Sequence, residues 1–177
     1  MAVTIKQMIS ETDVDRRISE IGAEISRDYA GREVRLVGIL KGASFFMCEL
    51  AKRITVPVSI DFMQVSSYGG ATESSGRVMI KKDLDESIEG LDVIIVEDIV
   101  DSGRTLAFLG EFLKNKGAHT IRYCTLLDKP ERRVVELKAD YSGFEIPDQF
   151  VVGYGMDFDQ KYRNLPYIGV VQMDPEN

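Results

Sequence analysis

Two cysteines, one histidine and no long apolar run exclude several chemistries at the outset. Cys48 and Cys124 lie far apart, without metal-ligand spacing, and cannot make a disulfide framework. Their apolar and aromatic neighbours mark them as buried free thiols of a reducing compartment. His119, the sole histidine, rules out a His-rich metal site, and any Ser-His-Asp or Cys-His mechanism would depend on it alone. Its setting, KGAHTI, is a turn entering a strand, where a structural role is expected. No apolar stretch approaches the roughly 20 residues of a membrane-spanning helix. The opening MAVTIKQMISETD lacks the apolar core and small-residue cleavage site of a secretory signal. Basic residues are also in deficit: 22 Lys and Arg against 29 Asp and Glu leave a net charge of −7, which argues against a general nucleic-acid surface. No repeat, low-complexity tract or linker interrupts the chain. The expectation is a single domain spanning 1–177, a cytoplasmic enzyme or regulator with no membrane or nucleic-acid partner.

What is present alternates in period. Val14, Ile18, Ile21 and Ile25 recur at helical spacing, with Thr12 and Asp13 as candidate caps and Ala30-Gly31 as the stop. VRLVGIL (34–40) is a nearly continuous apolar run, as a strand covered on both faces requires. ASFFMCELAKRI returns to a helical pattern, VPVSIDFMQV (56–65) to a strand, and RVMIKKDL reads as a strand after a polar loop. DVIIVED (92–98) precedes DSGRT, a helix from about Thr105 to Lys116, and the strand IRYCTLLD (121–128). KPERRV then begins a turn or short helix. Strands alternating with helices predict an α/β fold built on a mainly parallel sheet.

The stretch VIIVEDIVDSGRTL (93–106) holds two opposed features. DSGRT follows a strand and opens a helix, where unpaired N–H groups and the helix dipole favour a phosphate. Gly103 permits close backbone approach, Ser102 and Thr105 can donate hydroxyl hydrogen bonds, and Arg104 either adds charge or points to solvent. Read alone, the turn is a strand–helix connection capped by Asp101 or Ser102. It matches neither the triphosphatase nor the dinucleotide glycine pattern. The acids Glu97, Asp98 and Asp101 suit the other side of a phosphorylated ribose: they accept from vicinal hydroxyls, favour Mg²⁺, and stabilise an oxocarbenium-like centre. Asp101 could instead take a proton from a nucleophile.

Apolar strand, two acids, two apolar residues and Asp-Ser-Gly-x-Thr together resemble the phosphoribosyl-diphosphate (PRPP) signature of the type I phosphoribosyltransferases. Further stretches extend the resemblance, across most of the chain, to the branch acting on hypoxanthine and guanine. The fold it implies is a mainly parallel sheet flanked by helices, with a small C-terminal or hood region. LKGASFF is similar to the family's first loop. The resemblance implies that Lys41 and Gly42 contact diphosphate, with the dipeptide bond often cis. SSYGGATESSGR resembles a lid carrying the pair Ser67-Tyr68, which would shield a reactive ribosyl centre from water. LLDKPERR places Lys129 where the family's purine-contacting lysine falls, donating to the exocyclic oxygen of a 6-oxopurine; Arg133 lies near a family basic position. In FVVGYGMDFDQKYRNLPYIGVV, Phe150 would stack on the purine and Val151 would bind its edge through the backbone. Asp157 would support a second Mg²⁺ beside the purine, and Arg163 would hold diphosphate. Without the resemblance, Phe150 reads as core, and Asp157 and Arg163 as turn and surface charges.

The resemblance thus implies transfer of phosphoribosyl from PRPP to hypoxanthine, and to guanine, with Mg²⁺. Glu97 and Asp98 would hold ribose and metal, residues 101–105 the 5′-phosphate, and Asp101 the purine proton. It also implies a homodimer or homotetramer. A PRPP-sensing regulator acting on nucleic acid is the alternative from another class.

Overall fold

In the computed structural model, which describes residues 2–68 and 77–174, the first helix is set by one hydroxyl. Ser10 Oγ accepts from the N–H of Asp13 at 3.1 Å, capping α1 (Glu11–Asp28) two residues before the expected caps. A Ser at this position has extended backbone and a short acceptor, whereas Thr12 and Asp13 already sit in the first turn. Val14, Ile18, Ile21 and Ile25 are fully buried, each contributing about 1.5–3 kcal/mol through burial.

The remaining elements are β1 (Ala2–Ile9), β2 (Val34–Leu40), α2 (Ser44–Ala51), β3 (Val58–Tyr68), β4 (Arg77–Lys82), β5 (Asp92–Val100), α3 (Arg104–Asn115), β6 (Thr120–Asp128), a 3₁₀ turn at Pro130–Arg132, β7 (Tyr141–Glu145), β8 (Val151–Val152) and β9 (Ile168–Asp174). Six strands form the main sheet in the order β4-β3-β2-β5-β6-β7, all parallel except β4. The run VIIV of β5 is divided between two cores. Ile94 and Val96 pack with α1 and α2, while Val93 and Ile95 pack with Leu106, Leu109 and Leu113 of α3. Burial on both faces explains why the run does not alternate with polar residues.

Crossovers leave β2 toward β3 on one side, and the next strand inserted beside β2 is β5 on the other. The order therefore reverses between β2 and β5. Their carboxyl ends flank the crevice where ligands gather in open α/β sheets.

A second sheet, β1-β9-β8, is antiparallel. The expected hood segment at the C-terminal side is joined by β1, a strand with little local signal in the sequence. Its alternation of Val3 and Ile5 is short and breaks at Lys6-Gln7. Cys124 is buried as expected, but Cys48 is exposed. In α2 the inward positions are Phe46, Met47 and Leu50, which turns Cys48 outward.

Candidate active site

Glu97 and Asp98 lie near the end of β5, both half-buried. The Asp98 N–H donates to Glu97 Oε1 at 3.1 Å, and the Ile99 N–H donates to Asp98 Oδ1 at 2.8 Å. Burial, and then the neighbouring Asp98 charge, push the Glu97 carboxyl well above its usual range. Burial also raises Asp98, against the opposing pull of its hydrogen bond with Glu97. Two adjacent, poorly solvated acids disfavour holding two charges without a cation.

Beyond this pair, the chain turns through Gly103, whose φ of 84° is left-handed, into α3. A side chain here would also collide with Arg133, since a Cβ would lie 2.9 Å from Arg133 Cδ. Neither expected cap closes the helix: Gly103 is the cap residue, and no side chain caps through it. Ser102 Oγ accepts from the Arg104 N–H at a long 3.3 Å. The positive mouth of α3 is left facing a cavity of about 270 Å³, lined by Ser102, Gly103 and Thr105 together with Glu97, Asp98 and Ser67. Arg104 is exposed at the first helical position.

Arg133, whose role the sequence left open, braces this loop from beneath. Its guanidinium donates to Asp101 O at 3.3 Å, to Leu137 O and to the Asp128 carboxylate. The Val134 N–H adds a bond to Ser102 O at 3.0 Å.

The first loop approaches from β2. Its cis peptide is Leu40–Lys41, one bond earlier than the expected Lys41-Gly42 and directly after the last residue of β2. Gly42 presses on the acid pair so closely that a Cβ would sit 2.0 Å from Asp98 Oδ2. From the other side, a Cβ on Gly155 would sit 2.2 Å from Gly42 O. Arg163 donates to Gly155 O at 2.7 Å and to Gln160 Oε1 at 3.2 Å, and pairs with Asp157 at 3.2 Å. Lys41 Nζ reaches the same Gln160 oxygen at 3.3 Å. Lys41, Gly42, Asp157 and Arg163 are thus brought together. Gln160, which joins Lys41 to Arg163, is a site residue that sequence reasoning misses. The segment holds four non-glycine residues at positive φ, Tyr154, Asp159, Gln160 and Tyr162, a concentration that marks functional turns.

Asp98, Ile99 and Asp101 also line a second cavity of about 450 Å³, so the two spaces share a wall. Lys129, Phe150, Val151 and Asp157 line this second space. Lys129 is only 8% exposed, unlike a solvated surface lysine, and pairs with Asp101 at 3.7 Å and Asp148 at 3.5 Å. Phe150 is 56% exposed, which excludes the core reading. It meets Phe158 edge-on, at 5.6 Å and 82°, leaving ring surface open to a flat ligand. Arg132, Asp148 and Met156 complete the lining, and sequence reasoning misses them too. Of the expected lid, Ser67 lines the phosphate-side cavity and Tyr68 ends β3. Residues 69–76 lie outside the described residues.

Among the described residues, no three acids, histidines or cysteines converge into a closed metal cage. Glu97 and Asp98 nonetheless fit a hard divalent cation that takes its other ligands from substrate oxygens and water. Asp157 is already engaged by Arg163 and by the Gln160 N–H at 2.8 Å.

An anion-binding helix mouth, an acid pair at the strand end and a flat-ligand wall in one crevice make a site for a phosphorylated sugar joined to a ring. In accord with it, the sequence model of the Phosphoribosyl transferase domain matches residues 8–159, and the chain belongs to that family. Its relatives are more specific. The hypoxanthine-guanine phosphoribosyltransferase of Streptococcus thermophilus (strain CNRZ 1066) is 49% identical over 97% of this chain and 96% of its own. The bifunctional protein TilS/HprT of Listeria monocytogenes (serotype 4b) is 52% identical over 94% of this chain, which spans only 26% of that longer protein. A crystal structure of a Bacillus anthracis hypoxanthine-guanine phosphoribosyltransferase, with HEPES in its active site, superposes with a TM-score of 0.92 at 47% identity. That match covers 96% of this chain and 100% of the other.

Proposed function

We propose that this chain is a purine-salvage phosphoribosyltransferase that joins hypoxanthine or guanine to PRPP, yielding the nucleoside monophosphate and diphosphate. The observation that carries the reading is that Asp98, Ile99 and Asp101 line both cavities. It lets one ribose span a phosphate subsite and a base subsite.

In this reading the α3 mouth, with residues 101–105, holds the 5′-phosphate, and Glu97 and Asp98 hold the ribose hydroxyls. These acids would hold Mg²⁺, which would supply charge neutralisation to the diphosphate. Lys41, Gly42 and Arg163 bind the diphosphate, and Asp157 would support a second Mg²⁺. Lys129 donates to the 6-oxo oxygen, Phe150 stacks on the ring, and Val151 offers backbone to its edge. The purine nitrogen bonds to C1′ as the C1′–O bond breaks, and the electron pair leaves with diphosphate. Asp101 takes the N7 proton. Ser67 and Tyr68 begin the lid that excludes water.

The proposal extends to a single domain over 1–177 and to a cytoplasmic homo-oligomer, dimer or tetramer. Exposed Phe45 lies on the rim of a separate cavity of about 530 Å³ that also includes Cys48 and Leu165, and is the surface this proposal would give to a second copy. No helix among the described residues is long and apolar enough to cross a membrane. The relatives compared carry enzyme names and lend no support to a nucleic-acid-binding regulator.

The test is diphosphate release from PRPP and Mg²⁺ with hypoxanthine, guanine, xanthine and adenine in turn. Turnover with hypoxanthine and guanine but not adenine is expected; none with any 6-oxopurine refutes the reading. For Asp101, the Asp101→Asn variant should lose kcat and flatten its pH profile. An unchanged profile removes the proton-acceptor role.

A further inference from the structure

The Lys129 ammonium lies between two carboxylates, 3.7 Å from Asp101 Oδ1 and 3.5 Å from Asp148 Oδ1. Asp101 belongs to the phosphate loop. Asp148 belongs to the turn between β7 and β8, two residues before Phe150. The second Asp148 oxygen, Oδ2, is 3.4 Å from Nη1 of Arg132. One carboxylate therefore ties together both cations of the base-side cavity, and nothing in the reaction as described uses it.

An ammonium has three donors and no acceptor, on a stem with four rotatable bonds. With Asp101 as its only anion, it would be drawn onto that carboxylate, away from the base and against the group that receives the purine proton. A second anion beside Phe150 opposes that pull and leaves the third donor for the cavity. Arg132, bonded to the other oxygen, restrains Asp148 in turn. Burial of Lys129 makes the balance matter more, because little solvent competes for the ammonium.

We propose that Asp148 is a positioning residue for base recognition: by sharing the Lys129 ammonium with Asp101, it holds one N–H toward the 6-oxo oxygen of the incoming purine. This rests on the function proposed above.

The experiment measures KM for hypoxanthine and for PRPP separately in wild type, Asp148→Asn, Asp148→Glu, Lys129→Met and the Asp148→Asn/Lys129→Met double variant. Asp148→Asn should raise KM for hypoxanthine about five- to tenfold, leaving KM for PRPP within about twofold. Asp148→Glu should recover most of the loss. The double variant should be no worse than Lys129→Met, since the aspartate acts through the lysine. An unchanged hypoxanthine KM in Asp148→Asn, an equal rise in both KM values, or full additivity in the double variant would overturn the proposal. A wild type inactive with every 6-oxopurine would instead overturn the function beneath it.

Discussion

Replacing Gly42 with alanine tests the contact on which the proposed diphosphate and ribose subsites meet. The new Cβ would lie 2.0 Å from Asp98 Oδ2 and 2.7 Å from its Cγ, where real Cβ atoms stay beyond 3.0 Å. Either the loop retreats by about 1 Å or the carboxylate rotates and gives up its bond from the Ile99 N–H. Overpacking of this kind costs about 1–3 kcal/mol, and loss of a hydrogen bond to a charged group about 1.5–3 kcal/mol. Taking about 3 kcal/mol in all, and 2–4 °C per kcal/mol for a chain of this size, calorimetry should show a Tm lower by about 6–12 °C. KM for PRPP should rise by about tenfold or more as the acid pair is displaced. The decisive control is Asp98→Ala. The three nearest atoms to the new methyl all belong to the Asp98 carboxylate, so Gly42→Ala in that background should leave Tm nearly unchanged. An equal Tm drop in both backgrounds would refute the contact as the cause.

Three further outcomes follow from the same residues. Because the folded state raises the Glu97 pKa, it binds that proton more tightly than the unfolded chain. Its contribution is therefore present at pH below the ordinary carboxyl value of 4.5 and is lost as pH rises through the raised folded value. Glu97→Gln should accordingly increase Tm at neutral pH without Mg²⁺, by a margin that widens with pH above 4.5, while losing activity; a constant margin contradicts the burial argument. Phe150→Ala should raise KM for hypoxanthine by about tenfold, with Tm shifted by no more than about 2 °C because the ring is largely exposed. A thiol reagent should titrate Cys48 in the native protein and Cys124 only after unfolding, since burial encloses that thiol and drives its pKa far up.

Legibility in the sequence followed the distance over which each feature is encoded. The placing of Glu97 through Thr105 in one crevice was readable because one strand end and one helix start hold the acids and the Gly103 turn on nearly consecutive residues. The apolar run of β5 was readable because both of its faces are covered. The contact of Gly42 with Asp98 joins two segments with no shared local pattern, and only the β2–β5 adjacency brings them together. Gln160 and Asp148 are ordinary polar turn residues by sequence, and their significance lies in the cations they meet. The exchange of Asp101 or Ser102 for Gly103 as the α3 cap depended on a backbone angle that residue type permits but does not dictate. β1 was unread because its partner is the far end of the chain.

That pairing bears on how the two halves of the site come into being. Ala2 lies opposite Asp174, and the strand carrying Val151 is held to the sheet through Val170, with Phe150 O accepting from the Val171 N–H. The half of the crevice proposed to hold the donor is assembled from β2, β5 and α3, with Arg35 of β2 paired to Val93 of β5. The wall proposed to receive the base pairs with β9 through Val151 and Val170, a short closure, while the other edge of β9 is covered only when the two ends of the described chain meet at β1, a contact with a far longer loop to close. Fraying of the β1–β9 pair would therefore bare one edge of the small sheet while leaving the acid pair and the Gly103 turn held by the main sheet.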